Sequence, residues 1–290
     1  MPRPMGACRR AARFRQGRGA APRTGAARRR RDHGCRCLLV PLFTGAATRR
    51  APEVTEVTDA AGPPGPLIGS GRAADVYAVD GGRVLRRYRT AHSCAAEADL
   101  MRYLREAGYP VPEVFAVAGP DLVMERLSGR DMLADLASRP WRVARHARTL
   151  ARLHNQLHQV AAPPGLRQPL GPGGQVMHLD LHPGNVMLTA GGPVVIDWSG
   201  GCAGPAGADV AMAYLIMATS DVDGLPSWLV PLARTLRRIF LRRFRAAVRD
   251  DPAPHLARAA ELRLNDLNVR PAEAARLRRL AGQAAAERPQ

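Results

Sequence analysis

The stretch between residues 178 and 198, HLDLHPGNVMLTAGGPVVIDW, constrains the fold more than any other part of the sequence. It contains two short apolar runs, residues 186–188 and 194–196, separated by Gly-Gly-Pro at residues 191–193. Two apolar runs joined by such a turn predict a β-hairpin. Polar side chains stand before the first strand and after the second. Because a hairpin brings its two ends together, these side chains should meet in one small volume.

Three of the polar side chains at the ends of this hairpin are Asp180, Asn185 and Asp197. Carboxylate and amide oxygens are hard ligands that suit Mg²⁺ when the ion also carries phosphate oxygens. The same set also suits two different roles, in which one carboxylate accepts the proton of a hydroxyl group and the other binds the metal. The hairpin therefore predicts a site for metal-assisted phosphate chemistry.

Positive charge is distributed unevenly along the 290 residues. All 43 basic residues are arginines, and 14 of them lie in residues 1–50 beside a single acidic residue. A basic tail is typical of attachment to nucleic acid or an anionic membrane, but this one lacks the periodicity and aromatic residues of a reading surface. We expect a disordered leader and Pro/Gly/Ala-rich linker over residues 1–66, with nucleic-acid contact through residues 1–50 as the alternative.

The cysteines do not form a recognisable metal-binding or disulfide pattern. Their number is odd and their spacing does not match a zinc motif. They are Cys8, Cys35, Cys37, Cys94 and Cys202. No stretch reaches the roughly 20 apolar residues of a membrane span. We therefore expect free thiols, a cytoplasmic location and no membrane span.

Residues 67–127 predict a small lobe of five strands and one helix. Gly69 and Gly71 lie in a strand–loop–strand sequence, which fits a loop folded over phosphates. A flexible hairpin edge explains these two glycines equally well when they are taken alone. Backbone groups of a connector at Glu125 and Leu127 are candidates to meet an adenine edge.

An ion pair is predicted inside this lobe. Glu97 lies on the inner face of the helix predicted over residues 93–107, where a carboxylate is costly unless a cation meets it. Strand alternation puts Arg86 on the same face as Val84 and directs Arg87 to the opposite face. We therefore predict that Arg86 pairs with Glu97. The alternative is that Glu97 flanks the core at a solvated edge.

The remainder of the chain, residues 128–290, predicts a mostly helical lobe. Helices are predicted over residues 140–158, 206–219, 228–248, 255–264 and 272–285. His154 lies on an apolar stripe and is interpreted as a core histidine that is hydrogen-bonded to backbone. Asp209, in the first turn of an apolar helix, could favour the helix N-terminus, but it is interpreted as a hydrogen-bonding support for the loop that carries Asp180.

The sequence HLDLHPGN at residues 178–185, followed by Ile-Asp at residues 196–197, follows the pattern H-x-D-x-H-x-x-N, then I-D. With this motif, residues 67–280 resemble the aminoglycoside phosphotransferase/choline-kinase-like family, small-molecule relatives of the protein kinases. Protein kinases usually carry Arg before the catalytic Asp and Phe-Gly after the metal-binding Asp. The resemblance implies an α+β, two-lobed protein-kinase-like fold with a small antiparallel-sheet N-lobe and a mostly helical C-lobe.

The resemblance also implies roles for the residues of the hairpin motif. Asp180 is expected to be the base that orients the acceptor hydroxyl, and His182 the histidine that stiffens its loop. Asn185 and Asp197 are expected to be the Mg²⁺ ligands.

In the N-lobe, Arg86 stands where the family places its ATP-phosphate lysine, and Glu97 where it places the partner of that lysine. Arginine forms bidentate hydrogen bonds to phosphate, but its side chain is longer and bulkier than that of lysine. Gly69, Gly71 and Val76 match positions of the phosphate loop, and Ala74 replaces its third glycine.

The function implied by the resemblance is transfer of the ATP γ-phosphoryl group to a hydroxyl of a small molecule of the aminoglycoside, sugar or amino-alcohol type, with ATP and Mg²⁺ as cofactors. Cationic aminoglycosides are usually held by acidic pockets, and the expected acceptor side offers few carboxylates. These are Asp209, Asp221, Asp223 and Asp266. The family name therefore does not identify the acceptor.

Two other functions stay open at this point. One is a nucleotide-binding pseudokinase with a sensing or scaffolding role, which the arginine at position 86 favours and the complete set of Asp180, Asn185 and Asp197 opposes. The other is an atypical protein kinase, which is opposed by the short spacing of 12 positions between Asp197 and Asp209.

Overall fold

The computed structural model describes residues 65–71, 73–90, 93–220, 226–266 and 269–286. Most of the predicted leader, with three of the five cysteines, lies outside these ranges, and so do Asp221 and Asp223. The predictions made for them, and the domain boundaries at residues 66 and 127, stay predictions.

The first part of the described chain forms a five-stranded antiparallel sheet with strand order β1-β2-β3-β5-β4. The strands are β1 (Leu67–Ser70), β2 (Ala74–Ala78), β3 (Arg83–Tyr88), β4 (Val114–Ala118) and β5 (Asp121–Glu125), with helix α1 (Ala95–Glu106) between β3 and β4. This arrangement confirms the predicted antiparallel N-lobe, and the bounds of β3 match the prediction at both ends.

Helix α1 ends in a glycine-dependent cap. Gly108 adopts φ 78°, and the backbone amides of Gly108 and Tyr109 donate to the carbonyls of Arg105 and Leu104. This is the Schellman pattern, in which a left-handed residue satisfies the last helical carbonyls. Glycine is suited to that position because it has no Cβ to clash.

The predicted hairpin is present as strands β8 (Val186–Thr189) and β9 (Gly192–Val195). Val186 pairs with Val195 in the antiparallel register, and the amide of Ile196 donates to the carbonyl of Asn185 at 3.0 Å. The two polar ends of the hairpin are therefore adjacent, as the sequence predicted.

Four short elements were missed in the sequence. They are β6 (Arg130–Asp131), helix α2 (Met132–Ser138), β7 (Gln175–Met177) and β10 (Cys202–Gly204). β6 pairs with β8, and β7 pairs with β10 across the 24 residues that separate Met177 from Cys202. Strands of two or three residues are too short to show a period of two, so only their long-range pairing defines them.

The C-terminal part is mostly helical, which confirms the predicted fold class. Its longer helices are α3 (Val143–Leu157), α4 (Ala206–Thr219), α5 (Val230–Arg245), α6 (Leu256–Leu264) and α7 (Pro271–Ala286). Short 3₁₀ turns precede α3, α5 and α6, which explains why the predicted helices began one to three residues earlier.

One buried cluster of apolar side chains joins the sheet to the helices. It includes Leu104 of α1, Leu122 of β5, Leu150 of α3 and Trp198. A second cluster packs α4 against α6 and α7. Among the described residues, Cys94 and Cys202 are buried free thiols, and burial raises their pKa values to about 11 and about 12. None of the described helices has the length and apolar character needed to cross a membrane.

Candidate active site

The loop between β7 and β8 carries the polar residues of the motif on an unusual backbone. Leu179 adopts φ 65°, a left-handed conformation that costs a non-glycine residue of the order of 1 kcal/mol or more. Two hydrogen bonds stabilise this turn. The backbone amides of His178 and Leu179 both donate to Oδ1 of Asp209, at 3.2 and 2.7 Å. The predicted role of Asp209 as a support for the loop is confirmed.

His178 fastens the loop to the far end of the hairpin. Its ring is fully buried, Nδ1 accepts the amide of Asp180 at 3.2 Å, and Nε2 lies 3.1 Å from the carbonyl of Ile196. Because Nδ1 accepts, Nε2 carries the proton and donates. This single side chain therefore ties the backbone of Asp180 to the residue that precedes Asp197.

The side chain of Asp180 points outward from this support, with 42% of its surface exposed. Nδ2 of Asn185 donates to both the carbonyl and Oδ2 of Asp180, at 2.8 and 3.1 Å. Nε2 of His182 lies 3.7 Å from Oδ1 of Asp180, while Nδ1 of His182 accepts the amide of Gly184. Burial lowers the pKa of His182. The structure therefore brings an accessible carboxylate together with an amide and an imidazole.

Asp197 stands at the other end of the hairpin in a left-handed conformation, with φ 66°. Arg86 Nη2 and Ser199 Oγ donate to the same oxygen of Asp197, Oδ1, at 2.6 and 2.9 Å. Burial opposes ionisation of this carboxyl, but the Arg86 guanidinium outweighs burial and lowers the pKa of Asp197. Asp197 is therefore a carboxylate at neutral pH.

Arg86 bridges the two parts of the site. Its Nη1 donates to Oε1 of Glu97 at 3.1 Å, so the predicted ion pair is present, and Glu97 is buried and not at a solvated edge. Burial raises the pKa of Glu97, and the Arg86 charge and a Tyr88 hydrogen bond oppose this rise. The contact of Arg86 with Asp197, 111 residues away, was not predicted.

The glycine-containing turn lies beside Arg86 through strand pairing. Val76 is the registered partner of both Gly69 on β1 and Arg86 on β3. The amide of Gly71 donates to the carbonyl of Ala74 at 2.9 Å, which closes the turn. Gly69 and Gly71 are not in the left-handed region, so what glycine provides here is the absence of a side chain.

Backbone hydrogen bonds fix the last residue of β5 and the first residue of the connector that follows it. The amide of Glu125 donates to the carbonyl of Glu113, and Oε2 of Glu125 accepts the amide of Glu113 at 3.2 Å. The amide of Arg126 donates to the carbonyl of Gly82 at 2.8 Å. Leu127 follows directly, half-buried, at the point where the chain leaves the sheet.

A buried ionic cluster lies beneath the loop and was only partly foreseen. His158 contacts two carboxylates, Asp209 Oδ2 at 3.1 Å and Asp250 Oδ2 at 2.8 Å. Burial by itself would lower the pKa of His158, but these hydrogen bonds outweigh burial and raise the pKa to about 9. Burial lowers the pKa of His154, whose Nε2 donates to the carbonyl of Leu181 at 3.2 Å, which confirms it as a core histidine.

This cluster corrects one prediction about the acceptor side. Asp209 is fully buried, and its oxygens face the loop amides and His158, so it does not line an acceptor pocket. Asp266 forms an ion pair with Arg263 at 2.9 Å.

The five-stranded sheet, the connector and the helical region with its hairpin-borne polar residues define a kinase-like class of protein. The model of the phosphotransferase enzyme family matches residues 65–173 and 163–262, which together exceed half of the chain. The chain therefore belongs to the phosphotransferase enzyme family. It is accordingly an ATP-dependent phosphotransferase that acts on hydroxyl groups of small molecules.

Two solved aminoglycoside phosphotransferase structures share the fold at low sequence identity, and a third structure is similar with a TM-score below 0.5. Aminoglycoside phosphotransferase APH(4)-Ia is 15% identical with a TM-score of 0.55, over 81% of this chain and 98% of that chain. The gentamicin complex of APH(2'')-IIa is 13% identical with a TM-score of 0.51, over 84% and 98%. A choline/ethanolamine kinase family protein from Mesorhizobium loti is 16% identical with a TM-score of 0.49, over 79% and 90%. A comparison with curated protein sequences finds no significant match.

Proposed function

We propose that this enzyme transfers the ATP γ-phosphoryl group to a hydroxyl of a small amino-sugar, sugar or amino-alcohol acceptor, with Asp180 as the base and Mg²⁺ held by Asn185 and Asp197. The observation that carries the proposal is the pairing of an accessible Asp180, held by Asn185, with an Asp197 that is ionised beside Arg86. Phosphoryl transfer needs these two carboxylate functions, one for the hydroxyl and one for the metal.

The residues present fit a hard divalent ion. Arg86 and Ser199 both donate to Oδ1 of Asp197, so Oδ2 is the oxygen that Asp197 offers to a cation. Asn185 uses Nδ2 as a double donor to Asp180, so its amide oxygen is the atom it offers. A carboxylate and an amide oxygen suit Mg²⁺, which completes its shell with water and phosphate oxygens. When bound, the metal neutralises charge on the phosphates.

The exposed carboxylate of Asp180 supports its assignment as the base. In the proposed reaction the acceptor oxygen bonds to the γ-phosphorus, the bond from that phosphorus to the bridging oxygen breaks, and ADP leaves with the electron pair. The proton of the acceptor hydroxyl passes to Asp180. Asn185 and the backbone anchored by His178 orient the carboxylate, and positioning of this kind supplies much of the rate in such transfers.

The guanidinium of Arg86 is proposed to contact the ATP phosphates, with Glu97 as its partner. The turn of Gly69 and Gly71 covers the phosphates, and Val76 packs against the nucleotide from the neighbouring strand. Backbone groups at Glu125 and Leu127 meet the adenine edge. His182 stiffens the loop from the side of Asp180. All of these assignments rest on the family resemblance. Those of Gly69, Val76 and His182 are also supported by their positions beside Arg86 or Asp180.

The proposed class of acceptor is supported by the family of this chain and by the molecules that similar proteins bind. One solved relative, a thermostable APH(4)-Ia variant, holds AMP-PNP and hygromycin B. In the present chain Asp209 is buried and therefore cannot contact a cationic acceptor, which leaves fewer carboxylates for that purpose. We therefore include neutral sugars and amino alcohols beside aminoglycosides.

A second candidate function, a nucleotide-binding pseudokinase, is favoured by one observation. Arg86 is bonded to Oδ1 of Asp197, so nucleotide phosphates must compete with Asp197 for the guanidinium. An atypical protein kinase has no comparable observation in its favour, since helix α4 begins only nine residues after Asp197.

Calorimetry on the full chain with ATP, with and without Mg²⁺, followed by ADP release against a panel of aminoglycosides, sugars and amino alcohols, separates these functions. Mg²⁺-dependent binding with turnover on one acceptor class supports the proposal. Binding without turnover on any member of the panel favours the pseudokinase. Absence of binding contradicts both.

A further inference from the structure

Tyr88 lies two residues after Arg86 on strand β3, so the two side chains share one face of the sheet. The ring of Tyr88 is buried, with 4% of the residue exposed. The Arg86 guanidinium carbon stands 4.8 Å from the centroid of this ring. A guanidinium over an aromatic face is attracted to it, and more strongly where water is excluded.

The hydroxyl of Tyr88 also reaches the partner of Arg86. It donates to Oε2 of Glu97 at 2.5 Å, while Nη1 of Arg86 donates to Oε1 of the same carboxylate. Burial and the Glu97 charge raise the pKa of Tyr88, so the phenol keeps its proton and stays a donor. Tyr88 thus contacts both members of the ion pair, the cation with its ring and the anion with its hydroxyl.

This arrangement fits an arginine better than a lysine. The planar guanidinium of Arg86 places Nη1 on Glu97 and Nη2 on Asp197 at the same time, with Tyr88 beneath it. An ammonium group can donate to two carboxylates, but it is a compact point charge without the fixed planar fork of a guanidinium, and it does not stack as a plane on an aromatic ring. The surroundings of Arg86 are therefore built for the side chain that is present.

We propose that Tyr88 is a positioning residue that holds Arg86 and Glu97 in the geometry needed for nucleotide phosphates, and that replacing Arg86 by lysine lowers nucleotide affinity. The inference rests on the proposed function, in which Arg86 meets those phosphates. Tyr88 itself acts through Arg86 and Glu97.

The test is a double-mutant cycle on the full chain with Tyr88→Phe, Arg86→Lys and the double variant. Calorimetry with Mg²⁺ and AMP-PNP measures Kd, so the result does not depend on knowing the acceptor. Each single variant is expected to raise Kd about tenfold, because each removes hydrogen bonding to a buried charge. The double variant is expected to be little weaker than Arg86→Lys alone, since coupled residues are not additive.

Tyr109→Phe is the matched control. Its hydroxyl is also buried and donates to the backbone carbonyl of Leu153, away from Arg86. Tyr109→Phe should lower thermal stability about as much as Tyr88→Phe does, but it should leave Kd for AMP-PNP unchanged. The comparison therefore distinguishes a positioning role of Tyr88 from a general loss of packing. Once turnover is measured, Tyr88→Phe should raise KM for ATP and change kcat little. Glu97→Gln, which removes the charge that Tyr88 holds, is the second variant if Tyr88→Phe does not fold.

The outcomes are distinguishable. Wild-type Kd in Tyr88→Phe, or penalties of Tyr88→Phe and Arg86→Lys that simply add, would overturn the role of Tyr88 and leave the proposed function intact. Failure of the wild-type chain to bind AMP-PNP with Mg²⁺ would overturn the proposed function and the inference together.

Discussion

The carboxylate of Asp209 accepts the backbone amide of Leu179 at 2.7 Å, and through this bond a buried side chain of helix α4 holds the turn that presents Asp180. Leu179 is one of two described non-glycine residues with positive φ, and the other is Asp197. Both stand beside the proposed reacting groups. Strained backbone of this kind persists only where surrounding contacts hold it.

Replacing Asp209 by asparagine therefore tests whether the support of this loop is needed for turnover. We expect Asp209→Asn to lower kcat at least about tenfold, because Asp209 accepts the loop amides with Oδ1 and His158 with Oδ2, whereas an amide has one acceptor oxygen. The loss of a buried carboxylate partner of His158 should cost about 3 kcal/mol of stability. Asp250→Asn is the control, since Asp250 also pairs with His158 but is 31% exposed and is not bonded to the loop. It should lower the thermal midpoint and keep kcat. Equal loss of kcat in both variants contradicts the role assigned to Asp209.

Asp180→Asn should slow transfer strongly while nucleotide binding survives. General-base catalysis is typically worth about 10²- to 10⁴-fold, so we expect kcat to fall by that amount and Kd for ATP to change less than about threefold. Asp99→Asn, on the exposed face of helix α1 with its side chain 75% exposed, provides a carboxylate-to-amide control. Transfer at the wild-type rate by Asp180→Asn would remove this residue from the mechanism.

The metal assignment predicts a matched pair of variants at Asp197. In wild type, chelation of divalent ions should weaken ATP binding, whereas Asp197→Asn should bind weakly whether or not Mg²⁺ is present. Ser199→Ala is the control, because it removes one hydrogen bond to Oδ1 of Asp197 but keeps the charge. Calorimetry with and without EDTA measures both. If Asp197→Asn retains the full Mg²⁺ response, another group holds the metal.

The raised pKa of His158 predicts how stability depends on pH. Between the ordinary value of 6.5 and about 9 the folded state keeps a proton that the unfolded state has released. The stabilisation is therefore complete below about pH 6.5 and is lost as pH rises through about 9. The charged and titratable groups that face this ring are Asp209, Asp250 and His154.

Denaturant unfolding of wild type and His158→Gln at several pH values measures this effect. The difference in free energy of unfolding between the two should shrink by an amount on the order of 3 kcal/mol from about pH 6 to about pH 10, because glutamine does not titrate. A difference that is independent of pH contradicts a charged His158.

Local patterns in the sequence predicted much of the fold and part of the site. Two apolar runs around Gly-Gly-Pro were sufficient for the hairpin, because turn chemistry and strand pairing are short-range effects. Alternation along β3 and the helical period of α1 were sufficient for the ion pair between Arg86 and Glu97. Asp209 was recognised as a support because a carboxylate in an apolar helix needs hydrogen bonds.

Other features depended on the tertiary structure. The second contact of Arg86, with Asp197, joins positions 111 apart in the chain, and the pairing of β7 with β10 involves strands too short to carry a period. The burial of Asp209, which removes it from the acceptor side, follows from the packing of α4 against neighbouring elements. Tyr88 had a sequence signal, its spacing of two from Arg86, but only its hydrogen bond to Glu97 gave that spacing a meaning.

By itself, the sequence determined which residues are candidates for the chemistry and which local elements hold them, because periodicity and turn preference act over a few residues. Tertiary structure decided which of those groups face each other, which are buried and which carry a charge. Those properties depend on desolvation and on partners brought together from distant parts of the chain, and neither is encoded in local spacing.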